Sequence, residues 1–260
     1  MLVTPHTLLA RSRRQKNALA WLQVTSIEML QAVLSQADQS QTACGIIIPS
    51  TIQTALDTFI YTSMIEAARA RSKVALVVRV PADSKEVEVV VAAGAPALLV
   101  EYKGSDSFDT IRQSSEAIVA TAHLQHKDVI VQLARPMTFA QLEILAHEVH
   151  MQAMVLPRLY SGRDKKGLSL TQLKEISTIT RLPLLLSEES LTRHWLKKAS
   201  LAGVDGFIID GPLEQAFLAG ARSGIYDKNA STSQFQRFTT KAIQKRVESY
   251  FTLFKEGGNV

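Results

Sequence analysis

Residues 72–99 read SKVALVVRVPADSKEVEVVVAAGAPALL, and this stretch decides the fold. Val74–Val80 is apolar apart from Arg79, and Pro81 ends the run. Asp83 stands three residues before Glu86, the spacing of a capping box at a helix start. The helix that follows runs to Ala93. It stops at Gly94, because glycine tolerates the left-handed conformation that closes helices. Ala97–Val100 then opens another buried strand. The stretch is therefore one strand–helix–strand unit, with a lone charge, Arg79, near the end of its first strand.

The same unit recurs outward in both directions. Apolar strands begin near residues 18, 44, 74, 97, 128, 153, 182 and 204, at intervals of roughly 22 to 31 residues. Helical patterns lie between them, among them Ser26–Ala37, Thr54–Ala70, Asp109–Leu124, Phe139–Val149, Ser169–Thr178, Thr192–Ala202 and Pro212–Ser223. Eight buried strands alternating with helices predict an α/β fold, a closed (β/α)₈ TIM barrel spanning about residues 18–223. An open doubly wound sheet is the alternative, but such sheets usually carry a glycine-rich phosphate loop after the first strand. The first turn here, Gln23–Ser26, has no glycine. A first helix over Val3–Gln15 precedes the barrel. A long helix over about 234–256 follows it, with Phe235, Phe238, Ile243, Val247, Tyr250, Phe251 and Phe254 on one stripe. That stripe is expected to pack on the barrel or to join a subunit interface. The 260 residues form one domain on this reading.

Composition narrows the function. A net charge of +5 is mild and dispersed, and no aromatics interleave with the basic clusters Arg11–Arg14, Lys197–Lys198 and Lys245–Arg246. Nucleic acid is therefore not the expected partner, and these clusters are read as solvated helix faces. No apolar run is long enough for a transmembrane helix, and the N-terminal residues do not read as a signal peptide. The expected compartment is the cytoplasm. The single cysteine, Cys44, excludes an internal disulfide and reads as a small buried hydrophobe.

A barrel of this kind builds its site from the C-terminal ends of its strands. Those ends carry Gln23, Ser50, Arg79, Glu101 with Lys103, Gln132 with Arg135, Arg158 with Tyr160, Ser187 with Glu188, and Asp210. Neither histidine nor cysteine is among them, so the residues do not point to a zinc site and no cofactor is expected. His147 and His150 lack the spacing that puts two imidazoles on one metal, and His123 and His126 suit a helix end. Arg79, Lys103, Arg135 and Arg158 end four successive strands. With Ser187 and Asp210 they form a candidate site for a small anion, since guanidinium forks suit phosphate and carboxylate. The competing reading is a salt-bridge net, in which Glu101, Glu188 and Asp210 neutralise these cations and shut the mouth. Asp210 also reads as the N-cap of the helix begun by Gly211-Pro212. Lys103 is a candidate imine-forming lysine, with Glu101 and Glu188 as candidate acid/base groups.

The chain resembles the class II, metal-dependent fructose-bisphosphate and tagatose-bisphosphate aldolases. Trp21–Ala32, WLQVTSIEMLQA, is similar to that family's "AFNxxNLE" opening, and Phe251–Gly258, FTLFKEGG, to its closing "MxxFGSxGKA". Helix–glycine–strand junctions at Ala92–Ala97 and Leu201–Gly206 fall where the family has them. The resemblance implies the same barrel over nearly the full length, and a dimer or a hetero-oligomer with another protein.

The family's functional motifs are replaced. Its third-strand HLDH corresponds to Val77–Val80, VVRV, so the proton-transferring aspartate becomes Arg79 and a zinc histidine becomes Val80. Its IDGSH or IDASH becomes Val100–Gly104, VEYKG, and a metal-associated glutamate falls on Gln132. The histidine-bearing GxxHGxYK becomes Leu156–Gly162, LPRLYSG, and LHGGTG becomes Leu186–Leu191, LSEESL. The phosphate-binding NVNT or NVAT becomes Ile208–Gly211, IIDG. The expectation is a catalytically degenerate aldolase-like protein with a binding, structural or regulatory role. The alternative is a metal-independent lyase acting on a phosphorylated or carboxylated substrate.

Overall fold

The structure is a computed structural model, and it describes residues 3–49, 65–66, 68, 73–157, 169–187, 192–226 and 231–257. Eight parallel strands close into a barrel in sequence order: β1 (Leu19–Gln23), β2 (Cys44–Pro49), β3 (Val74–Pro81), β4 (Ala97–Glu101), β5 (Asp128–Gln132), β6 (Ala153–Leu156), β7 (Leu184–Ser187) and β8 (Val204–Ile209). β8 pairs back onto β1 and leaves no edge. The predicted TIM barrel is the observed one.

The described helices are α1 (Pro5–Gln15), α2 (Ile27–Ser40), α3 (Ser84–Ala92), α4 (Phe108–Leu124), α5 (Phe139–Glu148), α6 (Leu170–Thr180), α7 (Arg193–Leu201), α8 (Pro212–Tyr226) and α9 (Thr232–Gly257). The helix expected over Thr54–Ala70 lies almost wholly outside the described residues. Local chemistry explains most helix ends. Ser169 and Gln172 form a reciprocal capping box, as their spacing predicts, and Thr138 and Gln141 form another. Gly94 and Gly203 end their helices at φ of 88° and 96°, conformations that a side chain would strain. The box expected at Asp83 and Glu86 does not form. The Asp83 carboxylate instead accepts from the backbone N–H of Lys85, one position earlier.

Strand alternation produces two cores. Leu22, Ile46, Val78, Val80, Val100 and Phe207 face outward into the layer shared with the helices. Trp21, Ile47, Val77, Leu99, Ile130, Val155, Leu185 and Ile208 face inward, together with Leu8 and Leu9 of α1. Trp21 is the largest inward residue and is fully buried. Its indole lies against Gly45 of β2 and Gly206 of β8. A Cβ on Gly45 would fall 2.1 Å from the ring, and one on Gly206 2.7 Å from it.

α1 lies across the N-terminal end of the barrel. The backbone N–H of Val3 donates to Val74 O, and that of His6 to the Asp128 carboxylate. Arg13 pairs with Asp205 of β8 at 3.0 Å and donates to the carbonyls of Arg181 and Leu182. The sequence reading of Arg11–Arg14 as a solvated face is therefore corrected at Arg13, which turns inward to a carboxylate only 4% exposed.

The α9 stripe packs as expected. Ile243, Val247, Tyr250, Phe251 and Phe254 are buried, while Phe238 stays partly exposed. Gly220 and Gly224 of α8 let α9 approach closely, since a Cβ on Gly220 would lie 2.7 Å from the Thr239 backbone. Among the described residues, no helix is long and apolar enough to cross a membrane.

Cys44 starts β2 and is fully buried, and burial pushes its thiol up to about 12. The thiolate is the reactive form. Native protein at pH 8 is therefore expected to resist a thiol-specific disulfide reagent, and denatured protein to react with one equivalent. Rapid labelling of the native state would contradict the buried position.

Candidate functional site at the barrel mouth

The inward parity of each strand carries on to its C-terminal end. It places Gln23, Pro49, Arg79, Glu101, Gln132 and Ser187 on the inner rim, and Asp210 one residue past β8. Arg79 sits level with Pro49 and Leu99, one step below the rim pair Pro81 and Glu101. It owes its place to β3, which is apolar on both faces up to that residue. Its side chain is 12% exposed.

Arg79 reaches across the barrel. Its Nη1 donates to Gln23 Oε1 at 2.6 Å. Its Nη2 donates to both oxygens of Asp210, each at 3.2 Å. Asp210 is half-buried, and its carboxylate is used here and not at the start of α8. The expected N-cap role is thus corrected: the guanidinium offers a charged donor that a helix-start N–H does not match. The salt-bridge reading of the mouth holds for this pair. It is incomplete, because Arg79 meets Asp210 through one nitrogen only. A two-nitrogen fork does not form, and Arg79 Nε is buried without a hydrogen-bond partner.

β4 and β5 supply a second pair. Glu101 faces Gln132 in register, and Gln132 Nε2 donates to Glu101 Oε1 at 3.1 Å. Gln132 Oε1 is buried and unpartnered, as is Nε of Arg135 three residues beyond the strand. Lys103 is exposed in the loop after β4, where its backbone N–H donates to Asp106. It lacks the desolvated pocket that activates an imine-forming lysine. Ser187 ends β7, half-buried. Ser50, Arg158, Tyr160 and Glu188 lie outside the described residues. Val80 and Tyr102, next to Arg79 and Glu101, point into the outer layer, where the Tyr102 hydroxyl bonds Ser115 at 2.7 Å. Burial raises the Tyr102 phenol above its ordinary range.

Many solved structures share this architecture, and two serve as examples. The YdjI aldolase of Escherichia coli K12 superposes with a TM-score of 0.85 over 99% of both chains, at 16% identity. The chain shares that protein's barrel fold. The fructose-bisphosphate aldolase of Campylobacter jejuni agrees, with a TM-score of 0.80 over 99% of this chain and 97% of that one, at 11% identity. At these identities the likeness is one of fold. No protein-family model and no curated protein matches the sequence.

The metal that the resemblance implies does not fit these residues. The described inner rim offers no imidazole and no thiolate, and its two carboxylates already accept hydrogen bonds, Asp210 from Arg79 and Glu101 from Gln132. The Arg79 guanidinium between them would repel a divalent cation there. No group of three or more potential ligands occurs among the described residues.

Proposed function

We propose that this chain uses the aldolase barrel as a binding protein for a small anion, and that it does not catalyse metal-dependent aldol cleavage. One observation carries this reading. Arg79 is a mostly buried cation inside the barrel mouth, with its Nε–H buried and unpartnered and Asp210 engaged through a single nitrogen. Buried donors in folded proteins are almost always satisfied, so an acceptor from outside the chain fits this gap. The replaced residues at the third to eighth strand ends support the non-catalytic half of the proposal, since they supply neither a Lewis acid nor a proton-transferring carboxylate at the matched position.

Thermal-shift screening against carboxylated and phosphorylated metabolites tests it. A ligand present at about one hundred times its Kd stabilises the fold by about 2.7 kcal/mol, a readily measured rise in Tm. The rise is expected to disappear in Arg79→Gln. Stoichiometric zinc in the purified protein, together with cleavage of a ketose bisphosphate, would overturn the reading.

A further inference from the structure

The unpartnered atoms of the mouth describe the ligand more closely. Arg79 Nε and Arg135 Nε are buried donors, and Gln132 Oε1 is a buried acceptor. The Gln132 amide cannot be turned around to remove the problem. Its NH₂ group faces Glu101, a carboxylate whose oxygens accept, so the amide oxygen is the atom left over. Chloride or sulfate satisfies the donors but brings no hydroxyl or N–H to the acceptor, and phosphate, which does bring a hydroxyl, carries up to two charges at neutral pH. Charge points the same way. Among the described residues of the inner rim, the carboxylates of Asp210 and Glu101 stand beside Arg79 and Gln132, and they repel a dianion more strongly than a monoanion. Arg79 and Gln132 stand on strands two spacings apart, with about 10 Å between the backbones, room for a small molecule between their side chains.

We propose that the ligand is a small hydroxycarboxylate whose oxygens accept from the two guanidinium Nε–H groups and whose hydroxyl donates to Gln132 Oε1. This rests on the reading of the mouth as an anion site. It places specificity in Gln132, an uncharged residue, and it makes Asp210 an internal counter-ion that biases the mouth against dianions.

Isothermal titration of the full chain with D- and L-glycerate, propionate and inorganic phosphate tests it. One glycerate enantiomer is expected to bind at least tenfold more tightly than propionate, because propionate leaves the Gln132 oxygen buried and unpaired. It is also expected to bind more tightly than phosphate. In Gln132→Met the advantage over propionate should vanish. In Asp210→Asn phosphate should gain on glycerate. Equal binding of glycerate and propionate to the wild-type chain overturns the proposal without any variant. Tighter, Arg79-dependent binding of phosphate also overturns it, and leaves the anion site standing. If neither these probes nor the metabolite screen gives an Arg79-dependent signal, both readings fail together.

Discussion

Trp21→Ala is expected to cost about 3–5 kcal/mol of folding stability, the range for emptying a buried aromatic site. The site cannot collapse to recover the loss. The indole is flanked by Gly45 and Gly206, which have no side chains to move inward, and by strands held in a closed hydrogen-bonded ring. Deletion therefore leaves an unfilled space in the inner core beside Ile47, Val77 and Ile208. The converse change tests the same geometry. Gly45→Ala brings a methyl to 2.1 Å from the ring, and overpacking of a fixed core typically costs about 1–3 kcal/mol. Chemical denaturation of both variants checks this. A Trp21→Ala loss below about 1 kcal/mol would mean that the ring does not fill the barrel.

The second large effect is at Asp205. Its carboxylate is 4% exposed and accepts from Arg13 Nε at 3.3 Å, Arg13 Nη2 at 3.0 Å and the Leu184 backbone N–H at 3.0 Å. The last bond lies where the β7–β8 register shifts, between Leu184 and Leu185, so the side chain supplies an acceptor at an irregular point of the ladder. Asp205→Ala is expected to destabilise by about 3 kcal/mol, since it strands a buried N–H and removes the partner of a cation. Asp205→Asn keeps an acceptor for Leu184 and should cost less. The comparison with Asn depends on pH. Burial, opposed by Arg13 and the Leu184 N–H, holds the Asp205 carboxyl above its ordinary 3.8. As pH falls, the folded chain therefore takes this proton before the unfolded chain does. Wild type should gain stability relative to Asp205→Asn as pH drops through the interval above 3.8, and lose that gain as pH rises through the folded value. Parallel urea titrations across that range measure the sign, and a gap that widens with rising pH would contradict it.

The sequence made the barrel legible because each strand is short, apolar and punctuated. Gly94 and Gly203 mark helix stops, Ser169 with Gln172 marks a start, and the repeat spacing repeats the unit around the ring. Arg79 was visible for the same reason, as the only charge in an apolar run. What could not be read depends on which distant strands meet. Gly45 looks unremarkable within CGIIIP until β1 is known to lie between β2 and β8 with Trp21 turned inward. Asp210 sits before Gly-Pro at a helix start, and only the closed ring brings Arg79, far upstream, within 3.2 Å. Arg13 was hidden among exposed basic neighbours. The signal that could have found its partner was Asp205, a lone carboxylate in the otherwise uncharged strand VDGFII.

The base of the barrel is fastened by a single helix. At the base, the α1 segment is bonded to β3 through Val3, to β5 through His6 and to β8 through Arg13, three strands that do not neighbour one another. A rigid rod fastened at three separated points fixes the circumference there. At the rim, the cross-barrel tie among the described residues is the Arg79 guanidinium, joining β3 to Gln23 and Asp210, with the Glu101–Gln132 bond linking only adjacent strands. One helix thus sets the circumference of the foot, so a change in α1 acts on β3, β5 and β8 together, although none of the three pairs with another.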